Sequence, residues 1–188
     1  MTESITDNLR IAVLTALVEH AEQPPGRTAL MKYAYLLQTV REVPLGYRFH
    51  LYNYGPYVDA LLTDVRRAQA VGLLESKMLT FPSGGYGYEF RTGEGYEVAK
   101  NQLAAVFAPY SDDIEWVLEQ FGDESASRLE LISTLVFAMC DNRRRLDGTE
   151  LVERVHEIKP HFSKETIVET IAEITQVLDC VTCDEVDE

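Results

Sequence analysis

Basic residues are scarce in this chain: seventeen lysines and arginines stand against thirty-one aspartates and glutamates across 188 residues, a net charge of −14 at pH 7. The shortage is uneven. Residues 27–100 carry nine bases and seven acids, whereas residues 101–188 carry seven bases and twenty acids. Nucleic-acid affinity comes largely from basic side chains that displace counterions, so the second half repels a polyanion and any DNA contact is confined to the middle segment. Long hydrophobic runs are missing too. No stretch approaches the ~18 apolar residues of a membrane helix, and the opening MTESITDNLR is polar where a secretory leader is basic and then apolar. These features predict a cytoplasmic protein with no membrane partner. Cysteine is limited to Cys140, Cys180 and Cys183, an odd number without an export signal, which predicts reduced thiols rather than a disulfide framework. Catalytic signatures are absent as well. There is no Gly-x-Ser-x-Gly elbow and no paired-carboxylate arrangement. Ser83-Gly84-Gly85-Tyr86-Gly87 lacks the Lys and Ser/Thr of a phosphate loop and reads as a hairpin tip. No catalytic residue, metal or cofactor is expected, and the chain reads as a non-enzyme.

What is present is an ordinary core composition, 46% hydrophobic, with clear helix and turn signals. Residues 5–21 place Leu9, Val13, Ala16 and Leu17 at helical spacing and stop before Gln23-Pro24-Pro25-Gly26. Thr28 then offers an N-cap to a second helix striped by Leu30, Tyr33, Ala34, Leu37 and Val40, which Pro44-Leu45-Gly46 ends. An aromatic, strand-like run over 49–54 meets Gly55-Pro56, which predicts a turn with Pro56 at the start of a third helix, 57–70, closed by Gly72. Extended segments at 73–75 and 78–81 and a returning strand at 86–91 predict a β-hairpin. Three helices and then a hairpin give the plan of a winged helix, with the hairpin as wing and the third helix as the groove reader. Helices are predicted at 93–108, 112–121, 126–141, 150–158 and 164–178. The expected fold is therefore mainly α (α+β): a winged-helix-like domain over 1–100, a helical bundle or extension over 101–178, and an acidic tail over 179–188.

Gly26-Arg27-Thr28-Ala29-Leu30-Met31-Lys32-Tyr33-Ala34-Tyr35-Leu36-Leu37, together with Tyr54-Gly55-Pro56-Tyr57 and Gly72-Leu73-Leu74, resembles the YwgA-like family and, more distantly, the Panacea or SocA-like antitoxin domain. Leu30, Lys32, Tyr33, Tyr35 and Leu36 match the family's Leu-x-Lys-Leu-x-Tyr-Leu-like helix, and the Tyr-Gly-Pro turn precedes the next helix in both. The likeness extends to 129–134 and to Lys159-Pro160 with Phe162-Ser163, and the chain departs from it at Met31, Ala34 and Val58. The resemblance implies a helix-rich, winged-helix-like bacterial or phage-associated protein with an antitoxin or defence-linked role and no established chemistry.

Nine of the ten tyrosines fall between Tyr33 and Tyr96, and Tyr52, Tyr54 and Tyr57 flank the Gly-Pro turn. Strand alternation puts Tyr52 and Tyr54 on the side of His50, opposite Phe49 and Leu51. Tyrosines are enriched at protein interfaces because they bury large area and keep a polar handle, so these three are the candidate partner-binding residues. The alternative is a satisfied domain edge. His50 itself reads as a packed or hydrogen-bonded residue rather than a general base. Arg48, Arg66, Arg67, Lys77 and Arg91 are the candidate nucleic-acid contacts, and a solvated helix face explains them equally well. Cys180-x-x-Cys183 with His156 and His161 has zinc-like spacing in reversed order, but Pro160 separates the histidines and no second CxxC exists. Arg143-Arg144-Arg145 reads as a solvated loop, and the run 179–188, with five acids and no base, as a frayed tail. The reading is a regulatory protein that captures a protein partner: a toxin, an effector or a complex subunit. A DNA-binding regulator is the alternative, a metal- or nucleotide-dependent enzyme a residual, and a homodimer an open question.

Overall fold

The computed structural model describes residues 2–80, 84–141 and 144–183, and the side chains from residue 8 onward, Asp141 excepted. Two helices have no solvated face. In α2 (Arg27–Val40) nine of fourteen residues are buried, and in α6 (Ala126–Met139) ten of fourteen are. A helix that is buried on every side belongs at the centre of a fold, and these two pack on each other. The other elements form a shell around them. Helix α1 (Thr2–His20) buries Val13, Leu14 and Leu17 and contacts α3 (Asp59–Ala70), α4 (Tyr96–Phe107) and α5 (Ser111–Phe121). On the far side of α6 lie α7 (Gly148–Ile158) and α8 (Lys164–Glu173), followed by the short α9 (Thr175–Asp179). The protein is thus mainly helical, with three small antiparallel hairpins among the described residues. One hydrophobic cluster runs from Ala12 to Val181, and the expected boundary at residue 100 falls inside α4. Among the described residues, no helix is long and apolar enough to cross a membrane.

Several elements end where the sequence says they must. Gly72, at φ +74°, takes the left-handed position that terminates α3, and Leu73 N donates back to Ala68 O at 2.9 Å. Strands β3 (Leu74–Thr80) and β4 (Tyr86–Thr92) then pair from Leu74↔Thr92 to Thr80↔Tyr86. Phe90 N donates to Pro25 O at 2.9 Å, which pins the base of this hairpin to the loop before α2. Ser125 and Ser163 cap α6 and α8 through their side chains.

Other expectations are corrected. Thr28 is not the N-cap of α2; Gly26 is, and Thr28 sits in the first turn. Gly55-Pro56 is not the turn. Strands β1 (His50–Tyr52) and β2 (Gly55–Tyr57) form a hairpin whose two-residue loop is Asn53-Tyr54, and the third helix starts only at Asp59. Proline is tolerated in a short edge strand, where no partner needs its missing N–H. The last predicted helix divides at Ile174 into α8 and α9. Cys140 and Cys183 are joined in a disulfide with Cα atoms 5.4 Å apart, which overturns the expectation of reduced thiols for that pair. Their approach is arranged by the small hairpin β5 (Cys140–Asp141) and β6 (Arg144–Arg145). From it Arg145 donates to Leu178 O and Val181 O, both at 3.0 Å. Residues 179–183, the end of α9 and the segment after it, are therefore not frayed, and Val181 is buried. Of the triple-arginine loop, Arg144 pairs with Glu150 at 2.9 Å, and Arg143 lies outside the described residues, as do Ser83 at the expected hairpin tip and 184–188 of the acidic tail.

Candidate interaction site at the Tyr-Gly-Pro hairpin

The β1–β2 hairpin lies on three buried charges. Lys32 projects from the second turn of α2 and donates from Nζ to Pro56 O at 2.6 Å. Lys159, just past α7, reaches Tyr52 O at 3.3 Å and also bonds Asn53 O. Its Nζ lies 2.8 Å from Glu130 Oε1 on α6, and His161 Nε2 lies 3.5 Å from the same oxygen. Lys32, Lys159 and Glu130 are all more than nine-tenths buried. Glu130 Oε1 accepts no hydrogen bond of acceptable geometry among the described residues, so its attraction to the two ammonium groups is ionic. Burial pushes the Lys32 amine down to about 8; Glu130 opposes that shift and Lys159 adds to it. Gly55 is required here. It adopts φ +84°, and a Cβ would stand 3.0 Å from Thr134 Oγ1 and 3.2 Å from Ser133 Oγ.

With the backbone held from below, the aromatic side chains point outward. Tyr52 and Tyr54 are 56% and 67% exposed, while Tyr57 is half-buried. The Tyr52 and Tyr57 rings lie 5.5 Å apart, and His50 meets Tyr57 edge-on at 5.7 Å. Tyr57 donates to Asp59 Oδ1 at 2.7 Å, and that bond, with a smaller contribution from burial, raises its ionisation above the usual range. His50 is exposed and makes edge contacts with the Tyr52 and Tyr57 rings. The three candidate tyrosines thus come together. They line a cavity of about 180 Å³ whose back wall is Lys32 and Met31 and whose mouth carries Arg27 and Thr28. Arg27 also lies over the Tyr88 ring at 4.0 Å. There the cavity meets a groove of about 710 Å³ running between the start of α2 and the β3–β4 hairpin, past Tyr86, Glu89, Asp123 and Glu124.

The five candidate nucleic-acid contacts do not form a comparable set. All are exposed. Arg67 pairs with Asp64 at 3.1 Å and Arg91 with Glu89 at 3.1 Å. In the hairpin register Lys77 stands opposite Glu89 and Arg91 opposite Glu75, while Arg66 lies near Tyr57. The zinc-like residues do not converge: Cys183 is bonded to Cys140, His156 Nδ1 contacts Phe162 O at 2.9 Å, and Cys180 faces Gln176 O. No group of three or more metal-ligating side chains occurs among the described residues. A cleft of about 740 Å³ lined by Glu19, Glu22, Glu115, Glu119 and Asp123 reads as converging solvated helix faces.

Sequence reasoning found the tyrosines but missed the lysine network. The signal was an ionisable residue in the middle of an apolar helix: Lys32 interrupts the run 30–37, every other member of which is apolar or tyrosine. No protein-family model matches the chain, and no curated protein matches it significantly.

Proposed function

We propose that this chain is a non-enzymatic interaction protein that captures a protein partner, a toxin, effector or complex subunit, through Tyr52, Tyr54 and Tyr57 and the groove they open onto. The observation that carries this reading is the contrast between a hairpin backbone fixed by buried lysines and two tyrosines held largely in solvent at its tip. Large, rigid aromatic side chains presented on an immobile support lose little entropy on binding, which is what an interface anchor needs. The resemblance to antitoxin-like families points the same way, toward a cytoplasmic, defence-linked regulator. The test is a pull-down of the tagged protein from nuclease-treated extract of its native cells. A stoichiometric protein partner that is lost on Tyr52→Ala or Tyr54→Ala supports capture. Retention of that partner by both variants sinks it.

The alternative is a winged-helix regulator reading DNA with α3, and the order of three helices and a hairpin favours it. Against it, Arg67 and Arg91 are already engaged by carboxylates, and the β3–β4 hairpin alternates charges of both signs. Salt-sensitive DNA recovered from an untreated parallel, with no protein partner, would promote this reading.

A further inference from the structure

Two ammonium groups and one carboxylate are buried together beneath the Tyr-Gly-Pro hairpin, which leaves one positive charge in excess. Lys32 and Lys159 are the ammoniums and Glu130 is the carboxylate. Lys159 donates to two hairpin carbonyls and forms an ion pair with Glu130. Among the described residues Lys32 donates one hydrogen bond, to Pro56 O at 2.6 Å. It is also the lysine that lines the cavity, and the mouth of that cavity adds Arg27 and no acid. A buried ammonium is costly unless an anion completes it.

Resting on the capture reading above, we propose that the cavity behind Tyr52, Tyr54 and Tyr57 is a carboxylate pocket, and that the partner segment it takes is a peptide that inserts a carboxylate toward Lys32 while its backbone lies along the adjoining groove. The chemistry is specific in three respects. About 180 Å³ is room for one amino-acid side chain or chain end. One carboxylate balances one excess charge. The walls above Lys32, Met31 and Leu62 with the tyrosine rings, suit the methylenes that lead to such a group. The groove that continues from Arg27 carries Glu89, Asp123 and Glu124, which repel a nucleic-acid backbone but accept the basic residues of a peptide.

Other charges bear on Lys32 and its neighbourhood. Glu130 faces it from α6 and Lys159 from the end of α7, with His161 on Glu130; Asp59 and Arg66 of α3 lie at Tyr57, outside the cavity lining. The lowered ionisation of Lys32 is consistent with a site awaiting its counter-ion, since a bound carboxylate favours the charged amine.

The test uses the full chain and three short peptides capped at the N-terminus: one ending in Glu with an amidated C-terminus, one ending in Ala with a free carboxylate, and one ending in Gln with an amidated C-terminus. Binding is read by NMR from the ring resonances of Tyr52, Tyr54 and Tyr57 and from the pH titration of the Lys32 ε-methylene. Saturable shifts with either carboxylate peptide, an upward move of the Lys32 titration, and at least tenfold weaker binding by Lys32→Met support the pocket, a tenfold change being about 1.4 kcal/mol. The stronger of the two peptides identifies the source, side chain or chain end. Equal binding of the Gln amide, unchanged binding by a folded Lys32→Met, or inorganic phosphate binding more tightly than either carboxylate peptide overturns it. Arg27→Gln, on an exposed residue, provides a second variant whose folding is not in question. A partner recovered by pull-down that is retained by Lys32→Met but lost by Tyr54→Ala overturns the carboxylate pocket and leaves capture standing.

Discussion

The lysines under the Tyr-Gly-Pro hairpin and the basic residues on α3 and the β3–β4 hairpin are the same kind of side chain in opposite circumstances. Lys32 and Lys159 are buried and hold three carbonyls of one hairpin. Arg67, Lys77 and Arg91 are exposed and stand beside or opposite carboxylates. A charge in a low-dielectric interior interacts strongly and must be compensated, whereas one at the surface is screened within about 10 Å at ordinary salt. Position, not residue type or number, decides which set shapes the molecule. The largest test of that difference is Lys159→Met. It strips Tyr52 O and Asn53 O of a donor and Glu130 of its nearest counter-ion. We expect a loss of about 3–5 kcal/mol in chemical denaturation, the usual cost of breaking a buried pair. A loss below about 1 kcal/mol would place the lysine network on the same footing as the surface set.

Next in size is Gly55→Ala. A left-handed backbone and a Cβ 3.0 Å from Thr134 Oγ1 together cost about 1–3 kcal/mol and lift the hairpin off α6. The same variant is expected to disturb Tyr52 and Tyr54 by NMR, although neither is touched.

Much of this architecture was readable. Gly72 after an amphipathic run could only be a helix stop, and alternating residues on either side of Gly84-Gly85 could only be a hairpin. The tyrosine cluster was visible from its density. What escaped was whatever depends on distant partners. Gly55-Pro56 looks locally like a helix start, and only the arrival of Lys32, 24 residues earlier, and of α6 shows why it is a strand. Cys140 and Cys183 are 43 residues apart, and nothing local to either marks the pairing. Lys32 stands out as a charge inside an apolar run, but that signal alone does not fix its burial, because a lysine within an apolar helix is as often a snorkelling surface residue.

The titration of Lys32 sharpens the contrast further. Its amine in the folded state is pushed down to about 8 from an ordinary value of 10.5. Between those two pH values the unfolded chain holds more protons at this group, so stability rises with pH. Above about 10 the trend reverses, because burial raises the ionisation of Tyr33 and Tyr35 and the unfolded tyrosines lose their protons first. Urea denaturation at pH 7, 8 and 9 is expected to show the rise in the wild type and a flat profile in Lys32→Met. At pH 7 that variant should lie within about 1 kcal/mol of the wild type, since removing the excess charge offsets the orphaned Pro56 carbonyl. A profile that rises equally in both would mean that another group carries the protons.

The smallest effect belongs to the exposed set. Arg91 is about half exposed and Glu89 only partly so, and their contact at 3.1 Å is of the screened kind. With Lys77 across the ladder from Glu89, the double variant Lys77→Gln, Arg91→Gln removes two cations and leaves Glu75 and Glu89 without counter-charges. Surface pairs contribute about 0.2–1 kcal/mol each, so the expected loss is under about 1 kcal/mol and shrinks further in 0.5 M salt. The same variant also separates the two functional readings. If the hairpin met DNA phosphates, each lost cation would lower the salt slope of binding by about one, and affinity would fall for every sequence alike. If these residues only balance their neighbours, partner capture by Tyr52 and Tyr54 persists at wild-type affinity, which is the outcome we expect.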